Sequence, residues 1–339
     1  MPSLRTIAGA LLYDWPHYAR AMRRRDWLGL HNRHEVIERD AVGVRPRWQF
    51  TSELHIANVF PSTARVILRE AARDWPIVLS DAAPATAERP DVTFLIGHRG
   101  RARLPHLLAT LRSIAAQRDA AIECIVVEQS NEREIEAELP SWVRYVHTPL
   151  PQRDLPYCRS WAFNVGAHAA RGEVLILHDN DFLVPERYAA EALARVRDGH
   201  EFVDLKRFEF YLSEADSARL FASGRLSLDV AATIVQNLQG GSVVAARDAY
   251  FAIGGFDEAF IGWGGEDNDF WERAEAHGGV YAFGYLPLVH LFHAPQPGKL
   301  MGDDAPAVKR YRELMTVPAA ERIARLRARP IGAMSGPSV

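Results

Sequence analysis

From Asp91 onward the chain alternates short apolar runs with stripes of helical spacing. Val92-Thr-Phe-Leu-Ile96 is a β-rich run, and Leu104, Leu107, Leu108, Leu111 and Ile114 follow at intervals that predict a helix. Ile122 to Val127 and Trp142 to Val146 predict two more strands. Tyr157 to Ala170 predicts a helix begun after Pro156 and stopped by Gly172, and Val174 to Leu177 predicts a fourth strand. Strands that alternate with helices argue for an α/β fold, a mostly parallel central sheet with helices on both faces. In such folds ligands gather beyond the carboxyl ends of the strands.

Further on, Pro185 to Val196 predicts a helix closed by Gly199, Gly240 to Ala246 a strand, and the residues from about Glu266 another helix. Val289 to His293 reads as a strand end before Pro295, Val308 to Leu326 as one C-terminal helix, and Gly332 to Val339 as a frayed tail. Residues 1–89 have a different texture. They hold Trp15, Trp27, Trp48 and Trp75, the basic cluster Arg23-Arg24-Arg25, and one helical pattern, Pro61 to Arg73, with Val66, Ile67 and Ala71 on one side. An aperiodic Ala/Pro stretch, residues 81–90, reads as a linker. The expected division is an N-terminal extension (1–89), a catalytic-sized domain (90–300), and a C-terminal helix with its tail (301–339).

Composition narrows the function. A net charge of −3 leaves no global basic field to draw in nucleic acid. Two cysteines, Cys124 and Cys158, exclude a disulfide scaffold or a Cys-rich zinc module and suit a reducing compartment. No apolar run approaches the roughly 20 residues that span a bilayer, so the chain reads as cytoplasmic, with peripheral membrane contact left open.

Candidate chemistry sits where apolar runs end. Leu177-His-Asp-Asn-Asp-Phe-Leu-Val-Pro185 carries Asp179 and Asp181 directly after a strand. Carboxylates two residues apart lie on one side of extended backbone and can face one cation or a sugar nucleotide. A second copy, Asp267-Asn-Asp269, shows that the pattern alone also arises in helix caps. Gly262-Trp-Gly-Gly-Glu-Asp-Asn-Asp269 places glycines around Trp263 and acids at a helix start, where close backbone approach to a ligand and a favourable dipole coincide. His290 and His293 lie three apart, so on a regular strand they face opposite ways and at most one is a ligand unless the strand bends. His293, nearer Pro295, is the first choice. His98-Arg99-Gly100-Arg101 after the first strand suits a nucleotide.

Together these regions, over about residues 91 to 295, resemble the GT-A glycosyltransferases, specifically the β-1,4-galactosyltransferase family and the related chondroitin-type polymerases. The resemblance implies a Rossmann-like GT-A domain with Asp181 and His293 as metal ligands. His290 is added to that set, where the family usually has a thioether. It implies Asp267 as the general base and Trp263, Gly265 and Glu266 as acceptor-binding residues. The donor-binding positions it implies are Gly97, His98, Arg99, Arg101, Glu128, Arg159, Asn164 and Asp179. The expected activity is metal-dependent inverting transfer of galactose or N-acetylgalactosamine from a UDP-sugar, with Mn²⁺ or Mg²⁺, to a hydroxyl of a glycan or lipid-linked saccharide. Its rivals are a retaining N-acetylgalactosaminyltransferase-type enzyme and a non-catalytic sugar-nucleotide or glycan-binding module.

Overall fold

The computed structural model describes residues 3–85, 87–262, 264–294 and 305–338. It opens with a helical run of α1 (Leu4–Gly9), one π-helical turn (Ala10–Asp14) and α2 (Trp15–Arg23). The ribbon β1 (Ile37–Arg39) and β2 (Val44–Pro46), the short strand β3 (Ser52–Glu53), and helices α3 (His55–Val59) and α4 (Pro61–Asp74) follow. Pro61 starts α4 at the helical position that needs no N–H. The inward face of α4 is Ile67, Leu68 and Ala71, whereas Val66, expected beside Ile67, is exposed.

The predicted α/β alternation then begins, with β4 (Val92–His98), α5 (Leu104–Ala115), β5 (Ile122–Ser130), β6 (Arg144–Pro149), α6 (Arg159–Ala169) and β7 (Val174–His178). Next come β8 (Phe182–Leu183), α7 (Tyr188–Arg197), β9 (Phe202–Val203), β10 (Lys206–Leu212), α8 (Glu214–Ser223), β11 (Ala232–Gln236) and β12 (Ser242–Ala246). The chain continues through α9 (Arg247–Ala252), α10 (Glu266–His277), β13 (Val280–Tyr281), β14 (Leu286–His290), α11 (Pro306–Leu314) and α12 (Ala319–Arg327).

The central sheet has the order β13-β9-β12-β7-β4-β5-β6. Strands β7, β4, β5 and β6 run parallel, and β12 is antiparallel to β7. Alternate residues face opposite layers: Phe94, Val126 and Ile176 pack with Leu107 and Leu111 of α5, while Leu95, Val127 and Leu177 pack with Trp161 of α6 and Phe270 of α10. Burial on both faces is why these strands read as unbroken apolar runs.

A second sheet, β3-β11-β10-β14-β8, was not expected from the sequence. Its central strand β10 contains Lys206, Arg207 and Glu209, which hide the strand pattern. Arg207 is nearly buried, with its guanidinium donating to the carbonyls of Leu28, at 2.7 Å, and Leu30. Residues between 18 and 71 share one hydrophobic core with this sheet, where Trp27, Ile56, Ile67 and Leu68 meet Phe208, Phe210, Ile234 and Val289.

Two C-terminal expectations need correction. The single helix over Val308 to Leu326 is two helices, α11 and α12, divided before Pro318, whose ring cannot continue an α-helix. The residues expected to fray are tied down: Gly332 and Ser338 donate backbone N–H groups to Glu258 at 2.6 and 2.5 Å, and Trp161 Nε1 donates to the Ala333 carbonyl at 2.8 Å.

The chain leaves the central sheet at His178 and enters the second sheet at Phe182. Asp179-Asn180-Asp181 therefore forms the junction, and β14 brings His290 into register with Phe182 beside it. Among the described residues no helix is long and apolar enough to cross a membrane.

Candidate active site

A cavity of about 1370 Å³ opens over this junction. Asp181 lies on its floor, with Oδ1 3.8 Å from His290 Nε2 and Oδ2 3.4 Å from His293 Nε2. Both histidines reach it because β14 ends at His290 and the chain turns, so the alternation that would separate them stops there. One ligand atom from each of the three lies within 4.8 Å of the others. The set fits a divalent ion on two further observations. His290 Nδ1 is buried without a hydrogen-bond partner, and Asp181 presents a second oxygen, Oδ1, that Arg103, paired with Oδ2 at 2.5 Å, does not hold. Burial lowers the His290 pKa to about 4, so the ring is neutral, the form that ligates metal. Burial alone would raise the Asp181 pKa, but His290, Arg103 and His293 outweigh it and hold the carboxylate below its usual range.

Beside this cluster Arg159, at the start of α6, ties the two halves of the site together. Its Nε is 2.6 Å from Asp179 Oδ1, and its Nη1 lies 2.7 Å from Asp267 Oδ1 and 3.7 Å from Glu266 Oε1. The remaining guanidinium nitrogen, Nη2, is buried and unpartnered, a donor available to a phosphate or a sugar hydroxyl. Glu266 and Asp267 occupy the first turn of α10 behind Gly265, whose φ of 88° glycine adopts without strain. Burial, followed by the Asp267 charge, pushes the Glu266 pKa up to about 7, and burial pushes Asp179 up to about 6 against the pull of Arg159. Asp269, from the second Asp-x-Asp copy, points into the interior and pairs with Arg273 and Arg322 at 2.8 and 2.6 Å.

The structure thus brings Asp179, Asp181, Arg159, Gly265, Glu266, Asp267, His290 and His293 to one cavity, with Gly97 and Arg99 on its wall. Arg99 is braced by the carbonyls of Gln129 and Leu155 at 2.8 and 2.7 Å. A side chain at Gly97 would collide with the Tyr157 hydroxyl, at 2.2 Å.

Four expected donor residues do not line the cavity. His98 is fully buried and holds the junction, accepting from the Asn180 amide at 2.9 Å and donating to the Gly100 carbonyl at 3.1 Å, so it is not placed to stack on a base. Arg101 lies outside and pairs with Glu138. Glu128 is buried and accepts from Tyr145. Asn164 is buried and fastens the 256–258 loop through the Phe256 carbonyl and Glu258, both at 2.8 Å. Trp263 lies outside the described residues.

Sequence reasoning missed Arg103, Tyr211 and the N-terminal wall residues Gln49, Phe50 and Asn58. Tyr211 stacks on His290 with ring centroids 4.1 Å apart. The basic run from Arg99 to Arg103 was a usable signal for Arg103. The others depend on the second sheet, which the pattern did not reveal.

Two family models match most of the segments that build this cavity. The family model described as glycosyl transferase family 2 matches residues 101–235, and that described as the N-terminal domain of galactosyltransferase matches residues 233–289. The chain is a glycosyltransferase. The first match carries Asp179, Asp181 and Arg159, and the second carries Glu266 and Asp267, so the enzyme's cavity is built from both. No curated protein matches the chain.

Several solved structures are similar to it. A mannosyltransferase from Pyrobaculum calidifontis in complex with GDP-Man and Mn²⁺ is 17% identical, with a TM-score of 0.40 over 80% of this chain and 83% of that one. The catalytic domain of Drosophila beta1,4galactosyltransferase 7 in complex with xylobiose is 14% identical, with a TM-score of 0.34 over 65% and 79%. GalNAc-T7 with UDP, GalNAc and Mn²⁺ is 16% identical, with a TM-score of 0.44 over 69% of this chain and 50% of that one.

Proposed function

We propose that the enzyme is a metal-dependent inverting transferase that moves galactose or N-acetylgalactosamine from a UDP-sugar to a hydroxyl of a glycan or lipid-linked saccharide. Residues 90–300 are its catalytic unit, with 1–89 as an extension and 301–339 as a C-terminal helical segment. It acts in polysaccharide biosynthesis at the cytoplasmic side. The observation that carries this reading is Arg159 joining Asp179, next to the Asp181 cluster, to Asp267 across one cavity.

Asp181, His290 and His293 would hold the ion, and two imidazoles with one carboxylate favour Mn²⁺ over Mg²⁺. When bound, the ion neutralises charge on the departing diphosphate. Arg159 and Arg99 orient the donor, Arg159 through its unpartnered nitrogen. Asp267 takes the proton from the acceptor hydroxyl as that oxygen bonds to the anomeric carbon and the carbon–oxygen bond to UDP breaks on the opposite face. A single displacement of this kind inverts the anomeric centre. Glu266, carrying a proton for much of the time at neutral pH, hydrogen-bonds the acceptor.

The test is Asp267→Asn. Asn is nearly isosteric and keeps a hydrogen-bond acceptor for Arg159, but it cannot act as the base. UDP binding should survive, while transfer from UDP-galactose or UDP-N-acetylgalactosamine falls by roughly 10²-fold or more. Near-full transfer by the variant, or a product of retained anomeric configuration by NMR, would overturn the reading.

A further inference from the structure

The helical run at residues 4–23 faces the interior with Ala10, Tyr18 and Ala21, as a surface helix should. Its outward side is also apolar. Leu4 is 86% exposed and Leu12 69%, and Leu11, Tyr13 and Trp15 are exposed with them. Large apolar side chains gathered on one exposed patch mark an interaction site.

The surrounding charge indicates what covers it. Between residues 3 and 25 there are five arginines, Arg5, Arg20, Arg23, Arg24 and Arg25, against the single acid Asp14, in a chain whose net charge is −3. Among the described residues none of the five makes an ion pair, whereas Arg39, Arg47 and Arg73 close by are all paired with carboxylates. Arg33 adds a further cation, over the Tyr13 ring at 5.0 Å. Exposed apolar residues that include a Trp, with unpaired arginines along the same helical run, are the chemistry of a segment lying in a lipid–water interface. Pairing with a second copy would set these unpaired arginines against one another around a twofold axis.

The patch also adjoins the cavity. Trp15 packs edge-on against Phe60 at 5.9 Å, α3 packs on the π-helical turn, and Ala57, Asn58 and Pro61, from α3 and the start of α4, line the cavity wall.

We infer that residues 4–25 seat the enzyme on an anionic phospholipid surface, with Leu4, Leu11, Leu12 and Trp15 in the interface and the arginines on the headgroups. The cavity mouth then lies beside the membrane. A saccharide carried on a membrane lipid is the acceptor that position serves, a consequence that rests on the transferase reading.

The test is co-sedimentation of the full chain with vesicles, without donor or acceptor, so that it stands or falls apart from catalysis. The wild type should pellet with equal parts phosphatidylglycerol and phosphatidylcholine and be released by high salt. Leu11→Ser with Leu12→Ser, or Arg23, Arg24 and Arg25 all changed to Ser, should lower partitioning by about tenfold or more. Unchanged far-UV circular dichroism would show that these solvent-facing changes leave the fold intact. Equal pelleting of wild type and variants overturns the proposal. So does a wild type that ignores vesicles, including the case in which sedimentation velocity shows a dimer that Leu12→Ser dissolves.

Discussion

Replacing Glu266 by Gln should stabilise the protein, and only on the alkaline side. The Glu266 side chain is 8% exposed, and burial followed by the Asp267 charge lifts its pKa from an ordinary 4.5 to about 7. Between these values the folded protein holds a proton that the unfolded chain has released. Stability must therefore fall as pH rises through this window and level off above about 7. One pKa unit corresponds to about 1.4 kcal/mol, so the full span is worth up to about 3.5 kcal/mol, a ceiling because Asp267 and Arg159 share the titration. Gln cannot ionise, yet its amide oxygen still accepts the Gly264 N–H that Glu266 now accepts at 3.0 Å. The two proteins should have equal stability near pH 4, with the variant gaining up to about 3.5 kcal/mol near pH 8. Urea unfolding across that range measures the difference, and parallel pH profiles would refute the argument. The gain should come with weaker acceptor use, the exchange expected when a strained functional group is relieved.

Two further substitutions separate chemistry from scaffold. Asp181→Ala should lower Mn²⁺ affinity by more than the 10- to 100-fold or so typical of losing an outer-shell partner, and UDP binding should stop responding to a chelator; calorimetry reads both. Asp269→Ala should instead cost about 3–5 kcal/mol of stability, because it strands the fully buried Arg273 and leaves Arg322 without its interior partner. A lower thermal midpoint with unaltered Mn²⁺ binding is the expected signature.

Legibility followed the source of each element's stability. Strands β4, β5 and β7 were readable because helices cover both faces, and two-sided burial leaves an unbroken apolar run. Strand β10 was not, because Arg207 is tolerated only where the backbone carbonyls of Leu28 and Leu30 receive it, a contact made by residues far away in sequence. That Asp181 and Asp267 would meet at one cavity was readable from motifs bounded by strand and helix signals. His290 was ambiguous because strand alternation holds only while the strand continues, and β14 stops at that residue. Asn164 and His98 carry the chemistry of a donor site, but Asn164 is spent fastening the 256–258 loop and His98 fixing the Asp-x-Asp junction. Residue type alone cannot tell a ligand-facing hydrogen bond from an inward one. Pro318 was visible in the sequence, yet the single helix expected over Val308 to Leu326 ran across it.

The core shared between the N-terminal segment and the second sheet bears on how this polypeptide can be taken apart. Trimming the chain at the linker would leave a sheet face of Phe208, Phe210, Ile234 and Val289 bare to water, and the Arg207 guanidinium without its two carbonyl acceptors. The product would be a sticky fragment whose sheet carries His290, with Tyr211 stacked on it, to Asp181, so insolubility and loss of the Asp181–His290–His293 cluster would arrive together. Chimaeras or minimal versions should therefore exchange residues 1–89 and strands β10, β11 and β14 as one inherited block.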